Sequence, residues 1–418
     1  MPTAKRFLCG DSEYGKALIV SSFTIYAFFL AQNSDLMGGF ALLFMSLISL
    51  FNPGSNKLGF RFAGSWHILA LIFGYAMLSS GFYLWGWGNL EWAFDSAWKF
   101  LLSLLIVSTF ANQGRIFAPV AFFSCIGLAV VMILQNTGFD IKQMLSLLKI
   151  PVVDFSWNEK FHSFWLLFLF WLTVSQVWKR GEKAKAMIFI LFVYTTWAII
   201  TSYSESSKLA FSTAVVFFLL SIKYSKFACR VFFLSLILYL FLFPVFWQIF
   251  PLDSWTWIAE RHWDRIALFE IASNAICEKW FLGYGFGSTL TLQITEFIPQ
   301  TLLFAESFGG LAEENNGMFR GFHPHNIVAL IWLDFGLLGT LLFAWSIFKF
   351  YRFVMPVMND SVNSACVMGL LSSATVIFSF SFSIWNTDVI LTYTMFFGCL
   401  VSLLYQDHRK MEIVDKKQ

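Results

Sequence analysis

Charge is scarce in this chain. Asp, Glu, Lys and Arg together make up 13% of 418 residues, about half the share of an average soluble domain, which excludes an ordinary water-soluble protein. Runs of five or six like charges are missing and the net charge is only +3, so a nucleic-acid-binding arm is not expected. Cysteine is limited to six residues with no CxxC pair and no Cys/His cluster, which argues against zinc and against a disulfide framework. Internal repeats and low-complexity tracts are also absent. The basic start (Lys5, Arg6, Lys16) leads into a run at 17–31 without a small-residue cleavage site, so the first span is expected to be retained rather than removed as a signal peptide.

What fills the space is apolar. Hydrophobic residues account for 58% of the chain and Phe alone for 53 positions. At about 20 apolar residues per crossing, that supplies on the order of a dozen spans. The runs are continuous rather than alternating, so helices and not barrel strands must cross. They fall at 17–31, 36–51, 66–85, 97–111, 116–134, 161–178, 187–201, 209–222, 231–250, 326–348, 365–383 and 389–405. The expected fold class is therefore an all-α integral membrane protein of about 12 transmembrane helices. Many of the Trp residues, among them Trp85, Trp87 and Trp92, read as interfacial anchors.

Lys and Arg accumulate in cytoplasmic loops. With the N-terminus inside, about two-thirds of the 28 basic residues fall on one side, in clusters such as Lys179–Arg180–Lys183–Lys185 and Lys223–Lys226–Arg230, and both termini are cytoplasmic. The opposite side receives the only long hydrophilic connection, 251–325. This division gives nine spans in 1–250, an outer loop at 251–325, three spans in 326–405 and a tail at 406–418. A connection this long calls for structure and a role of its own. Its segment 260–281 has Trp263, Ile266, Ala267, Ile271, Ala275 and Ile276 at helical spacing and reads as an amphipathic helix lying on the membrane surface. The Gly283-Tyr-Gly-Phe-Gly287 stretch reads as a turn, because no strand precedes it and no Lys-Ser/Thr follows as a phosphate loop requires. The Gly/Glu/Asn-rich residues to 322 read as a lid.

Two groups of residues suit chemistry. His323-Pro324-His325-Asn326 stands where the long loop re-enters the membrane. An imidazole there can take the proton of an attacking hydroxyl, and the bland alternative is a solvated interfacial pair. Basic residues at outer span edges form the second group: Lys99, Lys208 in the Ser-Glu-Ser-Ser-Lys turn, and Arg261 and Arg265 on the loop helix. Cations so placed can bind phosphate and stabilise charge on a departing pyrophosphate. Their bland reading is local pairing, Lys99 with Asp95 and Lys208 with Glu205, or a solvated helix face.

The loop-helix arginine, the GYGFGS turn and HPHNIVALIWLDFGLLGTLLF together resemble the O-antigen ligase and polymerase superfamily over about 185–350. The resemblance implies a GT-C-like, metal-independent glycosyltransferase with no cofactor. Its donor would be an undecaprenyl-pyrophosphate-linked glycan, used at the periplasmic face of a bacterial inner membrane. It places the family's histidine on His325, with His323 beside it, the loop-helix arginine on Arg265, and the basic residue of the Ser-rich turn on Lys208, where Arg is usual. Lys99 matches a basic residue of the fourth span, while Arg261 and Asn326 are further candidates. The HxHN pair and a single late loop point to a ligase, which transfers to lipid A-core, over a polymerase, which transfers to another lipid-linked unit. A transporter, from a different class, would instead show midplane charges and paired repeats.

Overall fold

The computed structural model describes residues 125–130, 132–133, 159–178, 181–250, 263–285, 324–359, 361–380, 396–397, 400 and 403–404, with side chains described from Ser163 and from Ile266 at the starts of two helices. The runs expected at 17–31, 36–51, 66–85 and 97–111 lie outside the described residues, as do the lid and the C-terminal tail. The main described elements are helices: α1 (Glu159–Val177), α2 (Glu182–Thr201), α3 (Glu205–Ile249), α4 (Trp263–Glu278), α5 (Ile327–Val354) and α6 (Val362–Phe380). A short 3₁₀ turn, Met355–Val357, joins α5 to the connection before α6.

Four of these helices, counting the 3₁₀ turn with α5, are long and apolar enough to cross a membrane. Their outward surfaces are apolar as well. Phe189, Ile190, Trp197 and Ile200 of α2, and Val216, Leu219 and Leu234 of α3, are exposed, where a water-soluble bundle would carry polar groups. The chain is a multi-pass membrane protein.

Helix α3 has 45 residues, about 68 Å at 1.5 Å per residue, twice the hydrocarbon thickness. It breaks at Tyr224, whose φ and ψ of −133° and 49° are not helical. The rings of Phe217 and Phe232 lie 5.6 Å apart, whereas a straight helix would separate these positions by about 22 Å. The chain therefore bends sharply at Tyr224, within the Lys223–Lys226–Arg230 cluster where the sequence places a turn between two spans.

One core binds α1, α2, both sides of the α3 bend and α6, with Phe164, Phe168, Trp171, Phe232 and Phe233 among its buried residues. Trp171 donates its indole N–H to Ser373 Oγ at 3.1 Å, and its ring rests against Gly369, where an added Cβ would approach within 2.8 Å. Ser175 donates to Asn363. These polar contacts fix α6 across α1 where lipid offers no alternative partners.

A second core joins the end of α3 to α4 and the start of α5. Ala267, Phe269, Ile271, Ala275 and Ile276 of α4 are buried in it. The apolar positions expected on one face of a helix at 260–281 are thus packed against α3 and α5. Small residues at 267, 272 and 275 allow that close approach.

Candidate functional site

Pro244 explains how α4 and α5 attach to α3. A proline has no N–H, so the carbonyl four residues earlier loses its helical donor. That carbonyl belongs to Leu240, and Trp332 of α5 donates to it at 2.7 Å. The Pro244 carbonyl in turn accepts from Ser273 of α4 at 2.5 Å, and Gln248 donates to Asn274 at 2.6 Å. Buried polar groups in a low-dielectric interior need such partners.

The loop turn and α5 are joined by backbone. Gly336, at φ 57° and ψ −155°, breaks α5, so Leu333 and Asp334 lose the amides of Leu337 and Leu338 as partners. The turn after α4 replaces them. Tyr284 N donates to Leu333 O at 2.6 Å and Gly285 N to Asp334 O at 3.0 Å, while Leu337 N donates to Trp280 O at 2.8 Å and Leu338 N to Phe281 O at 3.4 Å. Tyr284 is held to α4 by its hydroxyl, which donates to Glu278 at 2.8 Å, and by Lys279 over its ring at 4.4 Å. The segment 280–285 is thus the plug of a discontinuous helix, the arrangement a membrane interior demands when backbone leaves the helical ladder.

His325 stands at the entrance of α5. It is half-buried between buried Pro324 and fully buried Asn326, and it is the non-glycine residue with positive φ, at 48°, among those described. Left-handed backbone costs a non-glycine residue about 1–2 kcal/mol, so its surroundings must hold it. Asn326 does so in part. Its Oδ1 caps α5 by accepting from Val328 N at 2.8 Å and Ala329 N at 3.2 Å, satisfying amides that have no partner within the helix.

Lys208 lies in the first turn of α3. The preceding serines form a closed turn: Ser204 Oγ caps α3 through Ser207 N at 3.4 Å and accepts from Ser207 Oγ at 2.7 Å. Lys208 pairs with Glu205 at 3.3 Å, both side chains being partly exposed, as the bland reading expected. In water an exposed pair of this kind contributes about 0–1 kcal/mol, so it does not prevent Lys208 from turning to a stronger anion. Arg265 is on α4, in the turn that precedes its packed segment 267–276. His323, Lys99 and Arg261 lie outside the described residues.

Among the described residues no group of three or more His, Cys, Asp and Glu is arranged to hold a metal ion. Cys125, Cys229 and Cys366 are buried free thiols, and Cys277 is an exposed one, its pKa raised by the partial burial of its sulfur.

Tyr239, Trp332 and Asp334 are not among the residues expected from the sequence. Tyr239 accepts a 2.6 Å hydrogen bond from Asn326 Nδ2. Asp334 is fully buried at the α5 break. A lone acid inside an apolar run is a functional signal, whereas a tyrosine or tryptophan in a Phe-rich run carries almost none.

A multi-pass membrane protein with a loop helix plugged into a broken span is the class that this geometry defines. Residues 190–344 match the family model described as O-Antigen ligase, the same stretch over which the motifs resemble that superfamily. Three curated proteins with the name "Putative polysaccharide ligase" are similar to it. That of Rickettsia typhi is 25% identical over 226 residues, covering 53% of this chain and 53% of the relative. That of Rickettsia felis is 25% identical over 52% of this chain and 51% of its own length. That of Rickettsia conorii is 26% identical over 52% and 50%. The chain spans about half the length of the curated relatives it matches.

Proposed function

We propose that this protein is an O-antigen ligase, a membrane glycosyltransferase that moves a glycan from undecaprenyl pyrophosphate to lipid A-core at the periplasmic face of the inner membrane. The observation that carries the reading is His325, half-exposed at the mouth of α5 and held in a left-handed conformation inside the family-matched segment. An imidazole in that setting is suited to general-base work at neutral pH.

The reaction is a single inverting displacement. An acceptor hydroxyl gives its proton to His325 as its oxygen bonds to the anomeric carbon. The bond from that carbon to the pyrophosphate oxygen breaks on the opposite face, and its electron pair leaves with the lipid pyrophosphate. Arg265, Lys208 and Lys99 stabilise that growing negative charge. Arg261 and His323 stand beside this set in sequence. Charge stabilisation by fixed cations requires no metal.

The test is transfer from an undecaprenyl-pyrophosphate glycan to lipid A-core by purified protein, with and without EDTA. The expected result is product at the same rate in both. Elongation of the donor without transfer to lipid A-core would move the assignment to a polymerase, and solute flux without either product would move it to a transporter.

A further inference from the structure

The serial contacts at the entrance of α5 lead away from His325 into the bundle. Asn326 is completely buried and uses both ends of its amide. Oδ1 caps α5 through two backbone amides, and Nδ2 donates to the Tyr239 hydroxyl at 2.6 Å. Tyr239 is part of α3, packed edge-on against Phe243 with ring centroids 6.1 Å apart. One phenol oxygen therefore connects α3 to the entrance of α5, one residue away from the imidazole. It is placed among the partly buried members of the second core, not on a surface that meets substrate directly.

This connection does something the cap alone does not. A cap needs only the side-chain oxygen of Asn326, and serine serves as well as asparagine in that role. The amide nitrogen adds a second anchor, which fixes the rotation of Asn326 and, through the shared peptide, the backbone of His325. His325 adopts a conformation with positive φ that a non-glycine residue keeps only when its surroundings over-determine it. The direction in which its imidazole leaves the chain follows from that backbone, and general-base geometry tolerates little error.

We propose that Tyr239 is a positioning residue for His325, acting through the amide nitrogen of Asn326. The inference rests on the reading of His325 as the base. Tyr239→Phe removes one oxygen and leaves the ring packing, so the fold has little to lose. The expected effect in the purified full-length enzyme is a fall in kcat of about tenfold, the scale of one hydrogen bond, with the donor KM within about twofold. Asn326→Ser, which keeps the cap and deletes the donor to Tyr239, should show the same split. Because both changes cut one link, the double variant should be no slower than the slower single variant.

An unchanged kcat in Tyr239→Phe would overturn the proposal. So would a raised KM at constant kcat, which would place Tyr239 in substrate binding, or losses that multiply in the double variant. His325→Ala, run in parallel, separates the two levels. Wild-type turnover in His325→Ala would overturn the reading of the base itself. Loss there with full turnover in Tyr239→Phe and Asn326→Ser would overturn only the positioning role.

Discussion

The backbones of Gly283 and Gly336 touch: a Cβ on Gly336 would come within 2.5 Å of the Gly283 amide nitrogen, and a Cβ on Gly283 within 2.7 Å of the Gly336 amide nitrogen. Both residues have positive φ, 72° and 57°. No other residue type meets both demands. Through this contact, the helix that carries Arg265 and the span that begins at His325 become one body.

Alanine at either glycine should therefore be costly. Gly283→Ala and Gly336→Ala combine left-handed strain with a backbone collision, and each is expected to lower stability by at least about 1–3 kcal/mol. Thermal unfolding in detergent measures it. Gly127→Ala, where nothing lies within 4 Å of the added Cβ, should leave the midpoint within a degree or two. Equal stability of all three variants would contradict the joint.

The partnership of Pro244 and Trp332 predicts non-additivity. Trp332→Phe leaves the Leu240 carbonyl without a donor, because Pro244 has none to offer, and should cost about 1–3 kcal/mol. In a Pro244→Ala background the restored backbone N–H returns to that carbonyl, so the same Trp332→Phe change should cost less. Unfolding of the four species in a double-mutant cycle reads the difference.

Much of this architecture is visible in the sequence. The apolar runs at 161–178, 187–201 and 365–383 correspond to α1, α2 and α6, and the basic cluster at 223–230 marks the bend of α3. The loop helix is visible from Ile266, Ile271 and Ala275 at helical spacing. The break of α5 is not visible, because hydropathy follows side chains and the break is a backbone event at Gly336 inside an unbroken apolar run. The GYGFG turn was recognisable as a turn, but its partner lies some 50 residues further along the chain and is met through main-chain atoms that carry no composition signal. His325 and Asn326 were legible as polar residues at a membrane entrance. Tyr239 was not, since its single hydroxyl is hidden among leucines and phenylalanines.

Lys208 gives a test of charge against shape. If it stabilises the leaving pyrophosphate, Lys208→Ala should lower kcat/KM for the lipid-linked donor by about tenfold or more, the worth of a charge-assisted hydrogen bond. Lys208→Arg should recover most of it, since the charge is retained and the guanidinium adds a fork. Glu205→Gln releases Lys208 from its 3.3 Å ion pair and should leave activity equal or slightly raised. Full activity in Lys208→Ala would reduce this residue to a surface charge.

The central claim is that His325 takes the proton of the attacking hydroxyl. Single-turnover transfer by the purified His325→Ala variant, with donor and acceptor saturating, tests it most directly. A rate about 10²–10⁴ below wild type, at unchanged donor binding, is the result the account predicts. A rate within twofold of wild type would contradict it.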